Sequence, residues 1–352
     1  MGEKKYILVL GGSTFMGLQL LQNLCSSENE DYEVYYINRG KKYWNNQVKS
    51  IKNAHHIFGN RKEKEEYRKL IEYESKKLGI YGKKKWTAVF DFCAFKYSEV
   101  KSAYEALKGK CELYLFISTD SIYDVCDKSI RKEGQPITEE MACRPKTLTK
   151  QAEYKKDDNY AHHKLKCEEY LYNYVEKEEF PFVVLRLPDV IGPFDDTGRF
   201  WAYMKWITEF NKNSLYLDDE GNNLKMSFVY SQDVADICLK LINMSKQNIL
   251  YKSYNIACEE VITLKQMIEQ IARIMDTKLL NIKNSDNASK FYPSVDCGPI
   301  DITLAKQVLG WSPTPLEEVL EKTVTFFKQA KGKYKEEENY AEKKMQKKIK
   351  TD

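Results

Sequence analysis

Tyr160 and Lys164, in Asn159-Tyr160-Ala161-His162-His163-Lys164, are the residues whose spacing most plainly suggests chemistry. On a helix, positions i and i+4 share one face, so phenol and ammonium project together. A nearby ammonium favours phenolate and lowers a tyrosine pKa from about 10. Tyr160 is then a usable general base for a hydroxyl proton near neutral pH. The pair means little alone in a chain with 25 Tyr; order gives it weight. Before it comes Ile117-Ser118-Thr119-Asp120-Ser121-Ile122-Tyr123, and near the start Leu8-Val9-Leu10-Gly11-Gly12-Ser13-Thr14-Phe15-Met16-Gly17. The latter sets a glycine turn before a helix start, where backbone amides and the helix dipole suit a pyrophosphate. Gly11 permits the tight turn and Gly17 allows the helix to pack close. Thr14 stands where a middle glycine usually admits close approach, so the loop must bend differently or use the Thr hydroxyl. Ser13, Phe15 and Met16 complete the loop.

The elements that position these residues are legible from periodicity. Tyr6–Leu10, Val34–Ile37, His56–Phe58, Ala88–Phe92 and Leu113–Ile117 read as strands, and Phe15–Cys25, Lys62–Lys77 and Ser98–Lys108 read as helices. Strands alternating with helices imply βαβ crossovers, and near-continuous apolar strands imply a parallel sheet covered on both faces. The expected fold class is α/β, a Rossmann-type doubly wound parallel sheet with a smaller C-terminal α/β substrate lobe. Residues 1–190 would be mainly the dinucleotide-binding part and 191–327 mainly the lobe, with interleaved segments; 328–352 would be a charged, flexible tail.

After the second strand come Asn38 and Arg39, where an acidic residue would bind the adenosine ribose. Neutral plus basic tilts the cofactor towards NADP over NAD. Asn60 is a candidate for the adenine amino group, with Arg61 beside it. Cys93 and Ala94 follow the fourth strand where the cofactor should pass. Arg199 could hold a substrate phosphate or form a loop ion pair with Asp195 or Asp196. Asp233 reads as the cap of the helix after it, and Phe200, Trp201 and Trp206 as core.

The chain has 352 residues, 56 Lys+Arg against 52 Asp+Glu, and a formal charge of +4. From Lys328 onward stand nine Lys against five Asp/Glu, so the body before it is neutral. A whole-domain basic field for nucleic acid is not supported. No apolar run approaches a membrane span. The nine Cys are scattered without C-x-x-C spacing, which reads as free thiols in a reducing, cytoplasmic setting and not as a metal site. The histidines lack partners at ligand spacing.

Taken together, these motifs resemble the extended short-chain dehydrogenase/reductase family, the nucleotide-sugar epimerases and dehydratases. The resemblance runs from Tyr6 to Phe327 and includes Val184-Leu185-Arg186-Leu187-Pro188, Phe228–Ala235, Tyr254-Asn255-Ile256-Ala257 and Leu309-Gly310-Trp311-Ser312-Pro313. It implies a catalytic set in which Thr119 bonds the substrate hydroxyl, Tyr160 exchanges its proton and Lys164 holds the nicotinamide ribose. Asp120 is the carboxylate left where Ser121 replaces the dehydratases' Glu, which weakens a dehydratase reading. Asp189 replaces a substrate-contacting Asn and would repel a nucleotide diphosphate. Residues 11–17, 38–40, 91–94 and 192–200 resemble a narrower branch that includes the chloroplast stem-loop-binding proteins. The resemblance implies an NAD(P)-dependent epimerase or reductase acting on a nucleotide sugar or related hydroxyl or keto substrate. The alternative is a cofactor-binding scaffold or RNA-associated protein, using the basic tail. A homodimer stays open.

Overall fold

The computed structural model describes residues 4–26, 28, 31–132, 134–209, 215–277, 282–285, 290–292 and 298–349. Its centre is a seven-stranded parallel sheet. In spatial order it runs from the strand Lys252–Asn255 through β6 (Phe182–Leu187), β5 (Tyr114–Thr119), β4 (Ala88–Asp91), β1 (Lys5–Leu10) and β2 (Tyr32–Asn38) to β3 (Ala54–Phe58). The order reverses beside β1, which opens a crevice at the strands' C-terminal ends. β5 and β6 are buried at every position, as expected of strands covered on both faces.

One face is covered by α1 (Phe15–Leu24) and the helix Ser231–Asn243, the other by α2 (Lys64–Lys77), α3 (Tyr97–Leu107) and α5 (Asn159–Tyr170). Between β5 and α5 lies α4 (Leu148–Asp157), which buries none of its residues. α5 starts where the Asp158 carboxylate accepts from the Ala161 amide at 2.9 Å, a side-chain cap. The fold is thus the expected α/β sheet.

A second core gathers Phe200, Trp201 and Trp206 of α6 (Arg199–Glu209) with the helix Leu316–Ala330. A two-stranded pairing of β7 (Asp189–Ile191) with Phe228–Tyr230 leads into it from the main sheet. The tail departs from expectation. Lys335–Ile349 is a helix, and its Ala341 and Met345 are fully buried in the second core. It lies so close to the start of α6 that a Cβ at Gly198 would stand 3.3 Å from the Ala341 Cα. Two apolar residues four apart give this otherwise charged helix a docking stripe.

Asp233 also differs: it lies inside its helix, and its carboxylate accepts from the Thr314 amide at 2.8 Å and hydroxyl at 2.7 Å. Of the nine cysteines, Cys297 lies outside the described residues; the others are free thiols. No helix among the described residues is long and apolar enough to cross a membrane.

Candidate functional site

A cleft of about 440 Å³ lies over the C-terminal ends of β1, β2 and β4. Residues 11–17 form its floor, with Asn38, Arg39, Asn60, Arg61 and Cys93 along its walls. Its shape depends on glycine. Gly11 and Gly12 take φ of +114° and +84°, where L side chains are strained. A Cβ on Gly17 would meet the Gly12 Cα at 2.8 Å and its nitrogen at 3.0 Å, so only glycine lets α1 start this close to the turn. At that start the amides of Met16 and Gly17 have no intrahelical carbonyl to reach. A turn that only glycine fits, ending in free amides at a positive dipole end, fits a dinucleotide's pyrophosphate.

Thr14 resolves its own anomaly. Its hydroxyl donates to the Phe194 carbonyl at 2.9 Å and accepts from the Trp44 indole at 3.1 Å, so it ties the loop to the second core. The Phe15 amide bonds the same carbonyl at 3.0 Å.

At the β2 end of the cleft, the Asn38 side-chain oxygen accepts from the Gly40 amide at 2.8 Å and faces the His56 ring at 2.9 Å. Arg39, Lys41 and Lys62 give this end of the cleft three cationic side chains. Arg61 departs from its expected role. Its guanidinium turns inward and grips Asp91 at 2.7 and 2.6 Å, and it also reaches the Glu99 carbonyl. Burial works against its charge, but Asp91, with Cys93, Tyr67 and Tyr114, outweighs this and raises the pKa. Cys93 sits beside it, its sulfur 3.3 Å from Arg61, with the thiol pKa raised by burial.

Thr119 ends β5, and its hydroxyl caps the turn that follows by accepting from the Ser121 amide. Tyr160 is in the first turn of α5, with its hydroxyl near enough to Thr119 for that side chain to favour its phenolate. The structure therefore brings Thr119 and Tyr160 together. Lys164 behaves otherwise than expected. It is buried, and its ammonium donates to the Ala94 carbonyl at 2.8 Å and the Ile117 carbonyl at 2.7 Å. Burial lowers its pKa. Tyr160 keeps 45% of its surface exposed, yet burial around its hydroxyl pushes its pKa up to about 12, against the pull of Thr119. Lys164 is not among the groups that move the Tyr160 pKa; burial raises it, against Thr119 and Arg199.

Beside Thr119 stands a group of buried carboxylates. Asp120 is buried and its pKa is raised well above the carboxylate range by burial, then by Asp189 and Asp124. Burial raises Asp189 to about 7 although Arg199 opposes it. Arg199 pairs with Asp189 at 2.9 Å, not with Asp195 or Asp196. Asp195 is turned to the Thr197 amide and hydroxyl instead. The sequence reading missed Tyr292, whose buried hydroxyl has no partner among the described residues and whose ring lies 5.7 Å from the Arg199 guanidinium. It also missed Trp44, a loop aromatic with no periodicity to mark it.

The NAD dependent epimerase/dehydratase family model matches residues 98–257, a span that holds Thr119, Tyr160 and Lys164. Human dTDP-D-glucose 4,6-dehydratase (Homo sapiens) is 22% identical over 356 residues, covering 93% of this chain and 91% of that one. Among solved structures, Bacillus anthracis dTDP-glucose 4,6-dehydratase in complex with NAD superposes with a TM-score of 0.73 at 17% identity, over 95% of this chain and 99% of that one. Thermotoga maritima UDP-glucose 4-epimerase with UDP-glucose gives 0.69 at 19% identity, over 92% and 99%. The family model thus covers the Thr119–Lys164 region, and these solved structures share the fold of this chain.

Proposed function

We propose that the protein is an NAD(P)-dependent epimerase or reductase acting on a nucleotide sugar or a related hydroxyl or keto compound. The observation that carries this reading is a cleft whose floor only glycine can form, with Tyr160 packed against Phe95 on its wall and Thr119 close by. A nicotinamide dinucleotide in that cleft supplies a hydride acceptor or donor. The chain's own residues handle the proton and the substrate. With its pKa near 12, Tyr160 is a phenol at neutral pH, ready to donate to a keto oxygen. In the reverse direction it accepts a hydroxyl proton, with Arg199 the charge that favours its phenolate. Thr119 orients the same oxygen. Lys164, held by the Ala94 and Ile117 carbonyls, offers its remaining N–H to a ribose hydroxyl.

Asp120, whose carboxyl accepts from the Thr119 hydroxyl at 3.4 Å, is the carboxyl group beside Thr119 and Tyr160, and Arg199, paired with Asp189, is the cation available to the substrate. The cationic edge of Arg39, Lys41 and Lys62 suits a 2′-phosphate and favours NADP, whereas the B. anthracis neighbour holds NAD. Incubation with NAD+ or NADP+ and a panel of UDP-, GDP- and dTDP-sugars, followed by chromatography of the sugars, tests the reading. Conversion of at least one is expected; no conversion with either cofactor contradicts it. The RNA-associated alternative draws in part on the basic tail, of which residues 335–349 form a docked helix.

A further inference from the structure

We propose that the C-terminal helix Lys335–Ile349 belongs to the dinucleotide site, as a latch that sets the glycine loop through Trp44. The proposal rests on the reading that the cleft takes a dinucleotide.

The chain after β2 does not return directly to the sheet. It forms a strap whose Lys41 and Tyr43 line the cleft. At Trp44, Asn45 and Asn46 it takes φ of 53°, 52° and 63°, three successive non-glycine residues in the left-handed region. That conformation is disfavoured for L residues and persists only where the surroundings hold it.

The surroundings here come from the far end of the chain. Trp44 is fully buried, with ring centroids 5.2 Å from Tyr334 and 5.6 Å from Phe326. Its backbone amide donates to the Glu337 carboxylate. The Asn45 side chain donates to the Lys333 carbonyl at 3.0 Å, and Gln47 to the Tyr334 hydroxyl at 3.3 Å. The latch is itself anchored, by Lys344 on the Thr197 carbonyl at 3.0 Å and by Glu338 on buried Lys205 at 3.1 Å.

The other side of Trp44 reaches the loop. Its indole N–H donates to the Thr14 hydroxyl, which donates in turn to the Phe194 carbonyl that also holds the Phe15 amide. Glu337, Trp44 and Thr14 thus form a continuous chain of hydrogen bonds and packing from the C-terminal helix to the start of α1. Asp196 on the cleft wall has its pKa raised first by burial and Asp195, with Glu337 adding a smaller push. Trp44 and Glu337 are positioning residues: they act on the cofactor through Thr14.

Linkage makes the proposal testable. If the helix favours the binding-competent loop, a bound dinucleotide must stabilise the helix in return. Hydrogen exchange on the full chain, with and without saturating NAD+ or NADP+, should show slower exchange in peptides covering 335–349. Glu337→Ala should weaken dinucleotide binding about fivefold, the scale of one hydrogen bond. Glu337→Gln keeps an acceptor for the Trp44 amide and should retain the parent affinity. Unchanged exchange in 335–349 on binding overturns the latch, as does parent-like affinity in Glu337→Ala or an equal loss in Glu337→Gln. Failure of the parent chain to bind either dinucleotide is a different result, which removes the cofactor reading and the latch with it.

Discussion

Replacing Gly17 by Ala separates the cost to the fold from the cost to the cleft. In a helix interior Ala is favoured over Gly by about 1 kcal/mol. Against this, the new Cβ would stand 2.8 Å from the Gly12 Cα and 3.0 Å from its nitrogen. Those are backbone atoms that cannot rotate away, and overpacking of this kind costs about 1–3 kcal/mol. The net loss of stability is therefore small, roughly 0–2 kcal/mol, from those opposing terms. To restore ordinary contact, α1 must move away from the turn by several tenths of an ångström, and the Met16 and Gly17 amides move with it. A hydrogen bond to a charged group contributes about 1.5–3 kcal/mol, so spoiling one amide–phosphate bond weakens binding roughly 10- to 150-fold.

The assay pairs urea unfolding with titration of NADH and NADPH fluorescence. Gly109→Ala is the control. Gly109 has φ of +72° and open space around its Cβ direction, so its Ala variant loses stability through backbone strain without touching the cleft. Gly17→Ala is expected to lose affinity far beyond its loss of stability, and Gly109→Ala to lose stability alone. Parent-like affinity in a folded Gly17→Ala variant would refute the assignment of this loop to a phosphate.

Arg61→Ala leaves Asp91 buried with only the Tyr114 hydroxyl and the Cys93 and Ala94 amides as donors. Breaking a buried pair from one side costs about 3–5 kcal/mol, so its urea midpoint should fall sharply; a surface-like change below about 0.5 kcal/mol would contradict the pairing. Asp189 has its pKa raised to about 7, so the folded chain keeps a proton that the unfolded chain has released. Between about pH 4 and pH 7 this group makes stability fall as pH rises. Asp189→Asn removes the titration, and the stability difference between parent and variant should slope across that window; a flat difference means that Asp189 titrates normally.

Strands, glycine loop and the shared face of Tyr160 and Lys164 were legible because each depends on local spacing. Gly17 could be assigned its role because the clash it avoids lies five residues away, within the same turn. Charges were harder, since their partners come from other elements. Lys164 was expected to act on Tyr160, but the carbonyls of Ala94 and Ile117, on two separate loop and strand ends, capture it. Arg61 pairs with Asp91, 30 residues on, and Arg199 with Asp189 instead of the carboxylates nearer in sequence. The helix Lys335–Ile349 was hidden for another reason. Its composition is that of a solvated segment, and only the complementary surface of α6 makes Ala341 and Met345 a core contact. Trp44 likewise has no periodic neighbours, and its burial is decided by aromatics that arrive almost 300 residues later.

Tyr160 is proposed to move the proton in a reaction run beside the glycine-floored cleft. The most direct measurement is the split between binding and turnover in Tyr160→Phe, with the dinucleotide and sugar identified by the panel. Removing one hydroxyl that does not reach the cleft floor should leave dinucleotide affinity within about twofold of the parent. Loss of a general acid–base group should lower turnover by about 10²–10⁴-fold. Turnover in Tyr160→Phe within a few-fold of the parent would contradict the account.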